Sequence, residues 1–93
     1  MVIALDYDDT YTRDPEFWNM IIDLAQSRGH EVICVTMRYE KEGSQVIRDL
    51  HQRVDQIIFT ERQAKYEFVT KMGIMPSVWI DDSPWFILMD AKA

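Results

Sequence analysis

Ninety-three residues, 47% of them hydrophobic, suffice for one domain around a single modest core, and this excludes a disordered chain. A formal net charge of -6 argues against strong nonspecific nucleic-acid binding through phosphate attraction, leaving room only for a local basic edge. The lone cysteine, Cys34, allows no internal disulfide, and no apolar run reaches the roughly 20 residues that span a bilayer, so the expectation is a cytoplasmic protein with no membrane partner.

The first predicted element carries most of the chemistry. Residues 2–6 form an apolar run that ends abruptly in Asp6, and Asp8, Asp9 and Thr10 follow within four positions. The run is short and lacks a basic flank, so it reads as a buried strand and not as a signal peptide. Carboxylates crowded this closely repel one another and raise each other's pKa unless they share a cation. With no Cys or His beside them, the oxygen-only donor set favours Mg2+ over zinc.

The chain then alternates helix and strand. Asp14 and Pro15 supply an N-cap and a first-turn proline, Gly29 a stop, and Phe17, Trp18, Ile21, Ile22, Leu24 and Ala25 recur at helical spacing between them. EVICVT, Glu31–Thr36, is a second strand, and residues 37–43 a charged loop. A helix over 44–53 places Val46, Ile47 and Leu50 on one face. QIIFT, residues 56–60, is a third strand, followed by a helix over 61–72 with Ala64, Phe68, Val69 and Met72 facing inward and Gly73 closing it. The fourth strand, SVWID, again ends in acids, Asp81 and Asp82, before Pro84 forbids its continuation. Of the aromatics, Phe17, Trp18 and Phe68 are expected in the core, and Trp85 and Phe86 either cover its open end or line a crevice.

Such a string implies an α/β fold: one domain over 1–93 with a three-layer, Rossmann-like parallel sheet, helices on both faces and right-handed crossovers. Ligands in these sheets bind beyond the carboxyl ends of the strands, where strand order reverses. A strand order of 3-2-1-4 brings Asp6, Thr36 and the Asp81–Asp82 pair to one crevice.

Four motifs in this order resemble those of the haloacid dehalogenase superfamily of phosphatases: Asp6-Tyr7-Asp8-Asp9-Thr10 after the first strand, Thr36 after the second, Lys65 before the last helix–strand unit, and Asp81-Asp82 after the fourth. The resemblance covers nearly the whole chain. It implies an Mg2+-dependent phosphomonoester hydrolase in which Asp6 is the nucleophile of an aspartyl-phosphate intermediate and Asp8 the general acid and base. Asp8 works best with its pKa raised toward neutrality, a shift its acidic neighbours are expected to supply. Lys65 offsets charge, and Thr10, Thr36 and Arg38 contact phosphate or substrate. The implied metal ligands are Asp6, the Asp8 main-chain carbonyl, Asp82 directly, and Asp81 through water or by orienting its neighbour. Lys71 and Arg62 are rivals of Lys65 on spacing, and Asp9 occupies a position where relatives often carry glycine.

The connections after the first and third strands are too short for a cap domain, so the resemblance implies a capless member with an open crevice, suited to small or macromolecular phosphates, including nucleotide and polynucleotide ends. Arg38 is the residue best placed to fork a second phosphate or a carboxylate. Two other readings use the same residues. A receiver domain shares the ingredients but places its phosphoacceptor on the third strand, which here ends in Phe59 and Thr60. A non-catalytic phosphate- or partner-binding module on the same fold has no need of Asp8. Monomer and homodimer are both compatible with the exposed sheet edges and the apolar segment 85–89.

Overall fold

Alternation along the strands decides which side chain meets which helix. In the computed structural model, which describes residues 1–92, four parallel strands lie in the order β3-β2-β1-β4: β1 (Val2–Leu5), β2 (Glu31–Thr36), β3 (Gln56–Phe59) and β4 (Val78–Ile80). Ile3 and Leu5 of β1, Val32 and Cys34 of β2, and Val78 and Ile80 of β4 face one side, where they pack with Ile22 and Ala25 of α1 (Pro15–Ser27) and Val46 and Leu50 of α2 (Ser44–Leu50). Ala4, Ile33, Val35, Ile58 and Trp79 face the other side, against Phe68 and Val69 of α3 (Lys65–Lys71). Helices therefore cover both faces, and the strands read as near-continuous apolar runs for that reason. A short α4 (Trp85–Leu88) completes the α3 side.

The expected α/β class and the 3-2-1-4 order are both present. Register places Leu5 beside Cys34 and Ile80, so β4 ends level with β1 while β2 runs two residues further, to Thr36. The main-chain ladders run one residue further, with Asp6 N–H donating to the Ile80 carbonyl at 2.9 Å and Thr60 N–H to the Thr36 carbonyl at 2.8 Å. Asp6 is thereby fixed like a strand residue although it lies just past the strand.

Helix ends follow the sequence where capping chemistry is local. The Asp14 side chain accepts from Phe17 N–H, and Pro15 opens α1. Gly29 (φ 84°) and Gly73 (φ 83°) both take the left-handed conformation after a helix. In each case the next residue's N–H reaches back into the last turn, His30 to the Ala25 carbonyl and Ile74 to the Val69 carbonyl.

Three expectations about helices change. The third helix starts at Lys65 and not at residue 61, because Glu61 (φ 55°) and Arg62 (φ 71°) hold left-handed backbone that no right-handed helix accepts. The second ends at Leu50, with residues 51–53 in a turn, and part of the preceding loop, Glu40–Glu42, is a 3-10 turn. Phe17 and Leu24 are exposed, as are Ile47 and Met72. Seven apart, Phe17 and Leu24 share a stripe about 120° around α1 from the buried Ile22 and Ala25. Phe17 lies edge-on against Trp18 outside the core.

Candidate active site

Strand parity carries Asp6 to the face of Ala4 and Asp81 to the face of Trp79, and that is the face α3 covers. Lys65, the first residue of α3, meets both: its Nζ donates to Asp6 Oδ1 at 2.8 Å and to Asp81 Oδ2 at 2.6 Å. Lys65 is only 3% exposed and Asp6 8%, so this is a buried charge network. Of the rival cations, Lys71 is exposed and pairs with Glu67 on its own helix, while Arg62 lines the crevice wall and donates to the Met37 carbonyl.

Asp82 completes the acid set. One carboxylate oxygen from each of Asp6, Asp81 and Asp82 lies within 4.8 Å of the others, an oxygen-only donor group of the kind a hard divalent cation takes. Thr10 stitches the set together, its hydroxyl 3.0 Å from both Asp6 Oδ2 and Asp82 Oδ1 while accepting from Asp82 N–H at 3.1 Å. Thr10, expected among the substrate contacts, has its hydroxyl engaged by carboxylates and main chain. Asp81 is further held by Ser83 N–H, which donates to its second oxygen at 3.0 Å, and Asp82 is the more exposed of the pair.

Burial dominates the electrostatics. Desolvation pushes the Asp6 carboxyl from 3.8 up to about 7, with Lys65 opposing the rise and Asp81 adding to it. Burial alone would lower the Lys65 ammonium, but Asp6 and Asp81 outweigh it and hold the group above its ordinary value. For Asp82 burial acts upward, yet hydrogen bonds from Asp6 and Thr10 prevail and leave it below the usual carboxylate range.

Asp8 is placed differently from expectation. Its carboxylate does not stand against acidic neighbours; it is forked by Arg38, with Nε to Oδ2 at 2.9 Å and Nη2 to Oδ1 at 2.7 Å. Arg38 is held in turn by the Glu42 carbonyl, which accepts from Nη1 at 2.8 Å, and by the Tyr7 ring beneath it. The hydrogen bond to Asp8, with part of its effect cancelled by burial, raises the guanidinium above its ordinary value. Thr36, 1% exposed, lies at the end of β2 with its hydroxyl accepting from Arg38 N–H at 3.3 Å, which leaves its own proton free to donate. Asp9 has φ 62°, a conformation in which glycine, Asn and Asp are the tolerated residues.

These groups line one open crevice of about 280 Å³: Asp6, Asp8, Asp9, Thr36, Arg38, Lys65, Asp81 and Asp82, with Arg62 and Phe86 on its wall. That volume is just below the roughly 300–1,000 Å³ typical of ligand pockets, enough for a small polar group. No family model, curated protein or solved structure matches this chain.

Two residues were not anticipated. Tyr7, between the two acids of the motif, points by parity to the opposite face, where its hydroxyl donates to Asp49 Oδ2 of α2 at 2.6 Å. Burial, with that bond adding to it, raises the phenol to about 12. Asp90 reaches from the C-terminal segment to accept from Ala64 N–H at 2.7 Å, capping α3 directly before Lys65. Alternation along β1 is a signal that could have placed Tyr7, whereas nothing near Asp90 in sequence points to α3.

Proposed function

We propose that this protein is a phosphomonoester hydrolase of the haloacid dehalogenase type, dependent on Mg2+ and working through an aspartyl phosphate on Asp6. The observation that carries the reading is the joint presence, at the ends of two adjacent strands, of three carboxylates within one ion's reach and a buried lysine bridging two of them. An acid cluster alone is common; one whose strand-end carboxylate is paired with a buried ammonium and opens onto a crevice is what phosphoryl transfer asks for. The donor set fits Mg2+, with Asp6 and Asp82 as the direct carboxylate ligands, the Asp8 carbonyl as a further ligand and Asp81 orienting. When bound, Mg2+ would supply charge neutralisation for the phosphoryl oxygens.

In this reading a carboxylate oxygen of Asp6 attacks phosphorus in line, the bond from phosphorus to the ester oxygen breaks, and Asp8 gives its proton to that departing oxygen. Water then attacks phosphorus, Asp8 takes the water's proton, and Asp6 is released with inorganic phosphate. Thr36 donates its hydroxyl proton to a phosphoryl oxygen, and Lys65 balances the charge that shifts between Asp6 and phosphate. The open crevice and short connections favour a phosphate at the end of a larger molecule.

The test is hydrolysis of p-nitrophenyl phosphate by the purified protein with Mg2+, with EDTA, and as Asp6→Asn. Turnover that needs Mg2+ and falls at least about 10³-fold in Asp6→Asn, with unchanged circular dichroism, is the expected result. Turnover that survives in Asp6→Asn would defeat the assignment of the nucleophile.

A further inference from the structure

Resting on the phosphatase reading, we infer that Arg38 is a substrate-responsive latch: it occupies both carboxylate oxygens of Asp8 until a second anionic group of the substrate takes the place of Asp8 in the guanidinium fork. The two partners are unequally anchored. Arg38 is tied to the Glu42 carbonyl and stacked 5.2 Å over the Tyr7 ring, and its side chain is 22% exposed. The Asp8 side chain is 49% exposed, and both of its oxygens are taken by Arg38. Displacement therefore moves Asp8 and leaves Arg38 in place.

The seated carboxylate also shows what the fork accepts. Nε and Nη2 present two parallel N–H donors to one oxyanion, the geometry in which arginine selects carboxylate and phosphate over other groups. The same crevice holds the phosphoryl-side residues Asp6, Thr36 and Lys65. Lys65 is already committed to two buried carboxylates, and Arg62, also on the crevice wall, is tied to the Met37 carbonyl and Glu42, whereas the Arg38 fork holds a half-exposed carboxylate that a substrate oxyanion can replace. A substrate with one phosphate leaves Asp8 latched. One carrying a neighbouring phosphate or carboxylate competes for the fork and frees Asp8 to exchange a proton with the leaving oxygen. The substrate class is thus a phosphomonoester with a second oxyanion close to the ester.

Two matched pairs of probes test this: phosphoserine against phosphoethanolamine, which differ by a carboxylate, and adenosine 3′,5′-bisphosphate against adenosine 5′-monophosphate, which differ by a phosphate. The wild-type protein should favour the doubly anionic member of at least one pair by about tenfold or more in kcat/KM, and the pair that responds identifies the second anion. Arg38→Met keeps the aliphatic stem and removes the fork. It should bring the ratio close to one and raise kcat on the singly anionic member, where Asp8 is no longer held. Arg38→Lys, a charge without a fork, should retain only part of the preference. Loss of packing alone would depress both members alike and leave the ratio unchanged, so an unchanged ratio in Arg38→Met overturns the latch. Equal wild-type rates within both pairs overturn it too, while leaving the phosphatase reading intact. Failure to hydrolyse all four esters and p-nitrophenyl phosphate overturns that reading and the latch together.

Discussion

Lys65 is a cation placed against expectation at the residue scale. It opens a helix, the end that repels positive charge, and it is buried, where an ammonium loses its hydration. Asp6 and Asp81 offset both penalties, so removing the lysine leaves two carboxylates with little solvent. Lys65→Met should therefore cost about 3–5 kcal/mol in urea unfolding at neutral pH, and less in acid, where Asp6 takes up a proton. The pH dependence of the metal-free wild type follows from the same residue. Folding moves the Asp6 pKa upward from 3.8 to about 7, so within that window the folded state holds a proton that the unfolded chain has released. Its contribution to stability is full below the lower value, falls as pH rises and levels off above the upper one. Urea midpoints measured without metal across that range should decline toward neutrality, more steeply in Lys65→Met. An Asp6→Asn variant should lose the slope. The motif DYDDT placed Asp6 at the strand end where the crevice opens, but it could not show Asp8 turned into the Arg38 fork, because that contact joins residues thirty apart through loop geometry.

Among the elements, what could be read from the chain and what could not separate by distance in sequence. The ends of α1 and the stop of α3 were legible because Asp14, Pro15, Gly29 and Gly73 act on neighbouring backbone. The start of α3 was not, since its cap comes from Asp90 and its upstream residues Glu61 and Arg62 are left-handed without being glycine. The adjacency of β1 and β4 was legible from where the acids fell, and placing β2 on the other side of β1, so that Thr36 joins them, gives the observed 3-2-1-4 order. Burial along α1 was harder: Phe17, Met20 and Leu24 form an apolar stripe that the sheet does not cover. Gly43 illustrates a requirement invisible to spacing. A Cβ there would meet the Phe59 ring of β3, so α2 can start close to the sheet only without a side chain. Gly43→Ala should cost about 1–3 kcal/mol, seen as a lower urea midpoint at constant m. Gly29→Ala meets open space and pays only the left-handed backbone penalty of about 1 kcal/mol.

For the molecule as a whole, a net charge of -6 includes the acids gathered at one end of the sheet, so a cation bound among them would act on stability. If Mg2+ occupies the Asp6–Asp81–Asp82 cluster, a concentration about 100-fold above its dissociation constant should stabilise the protein by about 2.7 kcal/mol. In a domain of this size that raises the thermal midpoint by roughly 10–20 °C. Asp82→Asn should lose most of the shift, and an equal shift in that variant would remove Asp82 from the ligand set. The pairing of Ile3 with Val78 has one more consequence, in the order of events during synthesis. β1, β2 and β3 can assemble as soon as their residues exist, but β4, the last of the four, is the strand that covers the free side of β1. Until it arrives the growing chain exposes an apolar edge, open to pairing with other chains, and lacks two of its three clustered acids. Asp81 and Asp82 come attached to the strand that covers β1, so β1 becomes an interior strand and the three-acid cluster is completed in the same step.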